Sequence, residues 1–94
     1  MKLEGTEKQV KYAEELRKRE LTTLNKKLVR KMKKDSKETK IYKIRKTGEQ
    51  LELTDVNAIQ LCINILNNMT KSWEIIDVCS CNEKLMLYHF GQYK

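Results

Sequence analysis

Residues 22–46 read TTLNKKLVRKMKKDSKETKIYKIRK. At 100° per residue, Leu24, Leu28, Val29 and Met32, with the preceding Leu21, fall within about 140° of arc. Lys26, Lys27, Arg30, Lys31, Lys33, Lys34 and Lys37 take the opposite side, so the first half of the stretch predicts an amphipathic helix with one cationic face. The second half adds Lys40, Lys43, Arg45 and Lys46. Eleven Lys and Arg residues lie between positions 26 and 46, opposed only by Asp35 and Glu38; these residues carry +9 on a chain whose total is +7. The remainder of the molecule is a scaffold for this charge.

Towards the N-terminus, Thr6-Glu7-Lys8-Gln9 matches a capping box. The Thr6 hydroxyl can accept from the Gln9 amide while the Gln9 side chain reaches back to the Thr6 N–H. Glu7 suits the positive end of the helix dipole. Val10, Ala13 and Leu16, flanked by Tyr12, supply an apolar side. Glu14 with Lys18 and Glu15 with Arg19 form i,i+4 pairs of favourable polarity. Leu16 sits more than about 100° from Leu21 on a helical projection. The poor helix formers Thr22, Thr23 and Asn25 mark the change of phase. Two helices are expected, about 6–20 and 23–35, joined by a kink or short turn; one bent helix over 6–34 is the alternative.

Towards the C-terminus, 35–39 reads as an exit loop. Lys40-Ile41-Tyr42-Lys43-Ile44-Arg45-Lys46 and Glu49-Gln50-Leu51-Glu52-Leu53 flank Thr47-Gly48, the pattern of a β-hairpin. Tyr42 and Ile44 share one face; Lys43 or Arg45 can meet Glu52 on the other. Thr54 or Asp55 caps a further helix. Its stripe of Val56, Ile59, Cys62, Ile63 and Leu66 makes it the core element, and Asn67 and Asn68 end it. The β-branched and aromatic residues 73–79 predict a strand, 80–84 a turn, and 85–90 a second strand. The expected architecture is α+β in one domain over 1–94. A basic helical segment, 6–35, precedes a ββαββ segment, 40–94, whose two hairpins can join in one antiparallel sheet.

Composition agrees with one small domain. Charged residues make up 35% and aromatics 6% of the chain, as expected where much helix surface is solvated. Residues 1–46 hold 17 Lys and Arg against 7 acids, and 47–94 hold 3 against 6, so a basic binding half rests on a nearly neutral one. Met1-Lys2 leads into charged residues rather than a signal peptide. Residues 56–69 are too interrupted by Asn and Gln to cross a membrane. Three cysteines without a secretory context are expected to be reduced, in the cytoplasm.

The residues offered for binding are Lys26, Lys27, Arg30, Lys31, Lys34 and Lys37, with Lys43, Arg45 and Lys46 extending the footprint. Lys outnumbers Arg, which favours point-charge contact with phosphates over bidentate reading of bases. Tyr42 is the one aromatic among them, which gives little support to base stacking. A solvated face that serves solubility is the plain alternative. Trp73 reads either as a core anchor or as an exposed anchor for a protein partner. Cys79-Ser80-Cys81, His89 and Cys62 make an incomplete zinc set, and Cys62, Cys79 or Cys81 with His89 lacks an orienting third group for nucleophilic catalysis. No cofactor, metal or catalytic constellation is indicated, and no enzyme is expected.

Residues 6–17, TEKQVKYAEELR, resemble the opening of a group of short, uncharacterised proteins of bacteria, phages and mobile elements. Their pattern runs T-E-K-Q, an apolar residue, an aromatic, A-E and a basic residue. Residues 71–77, KSWEIID, resemble the later A-K-W-W-I-D stretch of that group, from which Ser72 and Glu74 depart. The resemblance implies a phage or mobile-element origin and transfers no catalytic residue. Two functions follow as expectations. One is a nucleic-acid-binding accessory protein, for DNA or RNA, acting through the basic helix face. The other is an anti-defence, anti-CRISPR-like inhibitor or adaptor that binds a host nuclease or ribonucleoprotein. A homodimer through Leu21, Leu24, Leu28 and Met32 is compatible with both.

Overall fold

The capping box forms at the N-terminus: Thr6 N–H donates to Gln9 Oε1 and Gln9 N–H to Thr6 Oγ1, both at 3.2 Å. From it runs a single helix, α1 (Glu7–Lys34), in a computed structural model that describes residues 3–34 and 37–93. At 1.5 Å per residue its 28 residues extend about 42 Å, matching the longest dimension of the molecule, 43 Å. The break expected at 20–23 is absent. The inward face of α1 holds Val10, Ala13, Arg17, Glu20, Leu24, Lys27, Leu28 and Lys31, all buried or half-buried. These positions form one continuous stripe along the unbroken helix. The apolar residues alone change phase along α1. Charged members of the stripe bridged the gap, while Val29 and Met32 fall outside it, 54% and 58% exposed. Thr22 and Thr23 are accommodated by hydroxyl bonds to the carbonyls of Lys18 and Arg19, at 2.9 and 3.1 Å.

The hairpin follows as expected, β1 (Thr39–Lys43) antiparallel to β2 (Gln50–Thr54), with Tyr42 opposite Leu51. Ile41, rather than Lys43 or Arg45, lies opposite Glu52, whose carboxylate accepts from the Thr39 hydroxyl at 2.7 Å. Gly48 takes φ +70 in the connection. Of the exit loop, residues 35 and 36 lie outside the described residues. Thr54 caps α2 (Asp55–Asn68), its hydroxyl accepting from Asn57 N–H at 3.2 Å.

The second hairpin is not formed. Residues 73–79 and 85–90, expected as strands, lie in helices α3 (Ser72–Val78) and α4 (Glu83–Phe90), and a 3₁₀ turn (Gly91–Tyr93) closes the described chain. The order after α1 is therefore ββααα rather than ββαββ, and the sheet has two strands. The physical reason is spacing. Ser72, Ile75 and Val78 are buried at intervals of three, a helical period that the β propensity of Trp, Ile and Val cannot override once that face meets a core. Asn82 caps α4 by accepting from Leu85 N–H at 2.9 Å.

α1 packs against both α2 and α3, and α4 against α2 and β1. Leu24, Cys62, Ile65, Leu66, Met69, Ile75, Val78, Met86 and Leu87 form the common core. Two ties orient α1 on it. The segment before α1 pairs in parallel with the α2–α3 connection, Glu4 N–H donating to Thr70 O at 2.7 Å and Ser72 N–H to Glu4 O at 2.9 Å. Gly5, at φ +135, permits this approach. Arg17 Nη1 donates to Met69 O, 3.3 Å away at the C-cap of α2, where a cation opposes the negative helix end.

Candidate nucleic-acid interface

Residues 21–34 contain six Lys and Arg and no acid. Three of them, Lys31, Lys33 and Lys34, lie in the last turn of α1, where the helix dipole favours cations. The fold divides the six between two surfaces. Lys26, Arg30, Lys33 and Lys34 are exposed on the outer side of α1. They form a ridge about 12 Å long, from the rise of eight residues. Lys27 and Lys31 are half-buried and turn inward, Lys27 Nζ lying 3.0 Å from Glu83 Oε1 and Lys31 Nζ 3.4 Å from Asp55 Oδ2. Lys40 Nζ approaches the other Asp55 oxygen at 3.6 Å. Two of the six cations in this run are thus shared with the protein's own carboxylates.

The inward cations, with Arg30 at the rim, line a cleft of about 640 Å³ between the C-terminal half of α1, β1 and the first turns of α2 and α4. Lys27, Arg30, Lys31, Lys40 and Lys84 contribute five positive charges there, Asp55 and Glu83 two negative ones, a net +3. Ile41, Tyr42, Ala58 and Ile59 form its apolar wall. Burial pushes the Glu83 carboxyl up, but the hydrogen bonds from its own backbone N–H and from Lys27 outweigh this and hold it below the usual value. Glu20 is displaced the other way: burial raises it against the attraction of Lys27, and the charge of Glu83 adds to the rise. Tyr42 is raised by burial and then by the charges of Asp55 and Glu83.

The remaining candidates lie elsewhere. Lys37 is exposed ahead of β1. Lys43, Arg45 and Lys46 are exposed at the far end of the hairpin, where Arg45 N–H donates to Tyr88 O at 2.9 Å. The length of β1, about 16 Å for five residues at ~3.3 Å each, separates Lys37 from the group at the hairpin end. Trp73 stands in the first turn of α3, 45% exposed, rather than in the core. Lys33, Lys40 and Lys84 complete the surfaces without having been singled out for binding. Lys33 was legible as a member of the cationic face. Nothing local in sequence placed Lys84 across from α1.

Burial pushes the Cys62 thiol up to about 12 and the Cys79 thiol to about 11, which leaves few thiolates for nucleophilic chemistry. Among the described residues, no group of three or more His, Cys, Asp and Glu is placed to hold a metal ion, and no helix is long and apolar enough to cross a membrane. No family model, curated protein or solved structure matches the chain.

Proposed function

We propose that this is a small non-enzymatic binding protein, of phage or mobile-element origin, that engages nucleic acid through the exposed ridge of α1. The observation that carries the reading is the acid-free run 21–34, four of whose cations are exposed and stand outside the ion pairs to Asp55 and Glu83. Its 12 Å length spans three to four phosphates of one strand at about 3.4 Å each. Binding proceeds by release of condensed counterions, with little base selectivity, because lysine meets phosphate as a point charge. The test is fluorescence anisotropy with labelled duplex and single strands across a salt series. Four phosphate contacts give a slope of log K against log salt of about −3.6 for B-DNA, or ~−2.8 for a single strand. Lys26→Glu, Arg30→Glu, Lys33→Glu and Lys34→Glu together remove binding. Salt-independent affinity, or no binding at low salt, rejects the proposal.

A second reading, an anti-defence inhibitor or adaptor that binds a host nuclease or ribonucleoprotein, is favoured by the exposed indole of Trp73, a residue type that anchors protein interfaces. It requires Trp73→Ala to release a partner that survives nuclease treatment, while leaving the salt-dependent strand binding unchanged.

A further inference from the structure

The cleft beside the ridge has a composition that a track for internal phosphodiesters does not need. Its volume, about 640 Å³, lies within the roughly 300–1,000 Å³ of small-ligand sites. Its charge is +3, and three of its four ammonium groups, those of Lys27, Lys31 and Lys40, pair with internal carboxylates. Asp55 is divided between Lys31 at 3.4 Å and Lys40 at 3.6 Å, both longer than the ~2.7–2.9 Å of a close charge-assisted bond. These two lysines are preorganised yet incompletely engaged. Arg30 and Lys84 have no acid partner among the described residues. An inorganic anion would use only these charges. Tyr42 and Ile59, 7% and 3% exposed, give the cleft a narrow apolar floor for one edge of a ring joined to the anion.

We propose that this cleft binds a nucleoside phosphomonoester, either the terminal nucleotide of a bound strand or a free mononucleotide. The base sets one edge on the Tyr42 and Ile59 floor, and the phosphate recruits Arg30, Lys31, Lys40 and Lys84. A phosphomonoester carries about −1.5 to −2 at neutral pH, which suits a +3 cleft better than the single charge of a diester. Arg30 belongs to both the ridge and the cleft, so a strand followed along α1 can deliver its end there. The terminal form rests on the function proposed above; the free form does not.

The full chain is titrated with one oligonucleotide carrying a 5′-phosphate, a 3′-phosphate or neither, with nucleoside 5′-monophosphates, and with inorganic phosphate. The variant Lys40→Ala/Lys84→Ala changes two exposed cleft residues outside the ridge, and circular dichroism checks its fold. A terminal phosphate is expected to tighten binding about tenfold, the effect of one added charge-assisted contact, and the variant to abolish that preference while still binding the unphosphorylated strand. Mononucleotide binding that exceeds phosphate binding and is lost in the variant supports the pocket even if no strand binds, an outcome that instead removes the ridge proposal. Equal affinity for all three strands together with no mononucleotide binding overturns the pocket and leaves the ridge standing. A preference that survives Lys40→Ala/Lys84→Ala also overturns it.

Discussion

Thr23→Pro tests the continuity of α1, on which the alignment of both basic surfaces depends. In an unbroken helix the N–H of residue 23 bonds to the carbonyl of residue 19, which also accepts the Thr23 hydroxyl at 3.1 Å. Proline deletes that N–H and drives its ring against the same carbonyl, costing about 3 kcal/mol or more. The neighbouring Leu24 is 1% exposed in the core, so a kink also disturbs packing. Thr23→Ala is the control. It loses only an exposed back-bond that stabilises helices little, and gains helix propensity, so its change is expected within about 0.5 kcal/mol. At the start of a separate second helix, proline would be tolerated. With a urea m-value of about 1–3 kcal/mol per M, the proline variant's midpoint falls at least ~1 M below that of the alanine variant. Its melting temperature falls at least ~12 °C, at about 4–8 °C per kcal/mol. Urea and thermal unfolding followed by circular dichroism read both values. Coincident midpoints for the two variants would refute the continuous helix and the shared stripe derived from it.

Arg17→Met removes the hydrogen bond to Met69 O and the cation at the end of α2, and should cost about 1 kcal/mol by urea unfolding, with Arg17→Lys restoring part of it. Glu83, held below its usual value in the folded chain, contributes stability that is complete above its unfolded pKa near 4.5 and is lost as pH falls through the lower folded value. Unfolding free energy measured from pH 6 to pH 3 should therefore decline less steeply below about pH 4.5 in Glu83→Gln than in the parent, and parallel curves would contradict the assignment. Gly91→Ala sets a methyl 2.7 Å from Ile44 Cγ1, which should cost about 1–3 kcal/mol by overpacking; Ile44→Val in the same chain should relieve part of that loss.

The capping box, the hairpin and the Thr54 cap were legible because each rests on contacts a few residues apart. Thr6 meets Gln9, Gly48 turns β1 into β2, and Thr54 meets Asn57. The C-terminal helices were hidden behind the β propensity of their side chains, although Ser72, Ile75 and Val78 recur at helical spacing and Asn82 stands where an N-cap belongs.

The basic helix shows the same division at the site. Sequence alone determined that residues 21–34 hold six cations and no acid, because that is a matter of composition and helical phase. Tertiary structure decided which of them pair with the protein's own acids. Asp55 and Glu83 come from helices that begin 21 residues or more beyond the end of α1. Only packing carries their carboxylates to Lys27, Lys31 and Lys40, turning part of a cationic face into the wall of a cleft. Charge pairing across a fold depends on distance in space, and a one-dimensional pattern does not hold that distance.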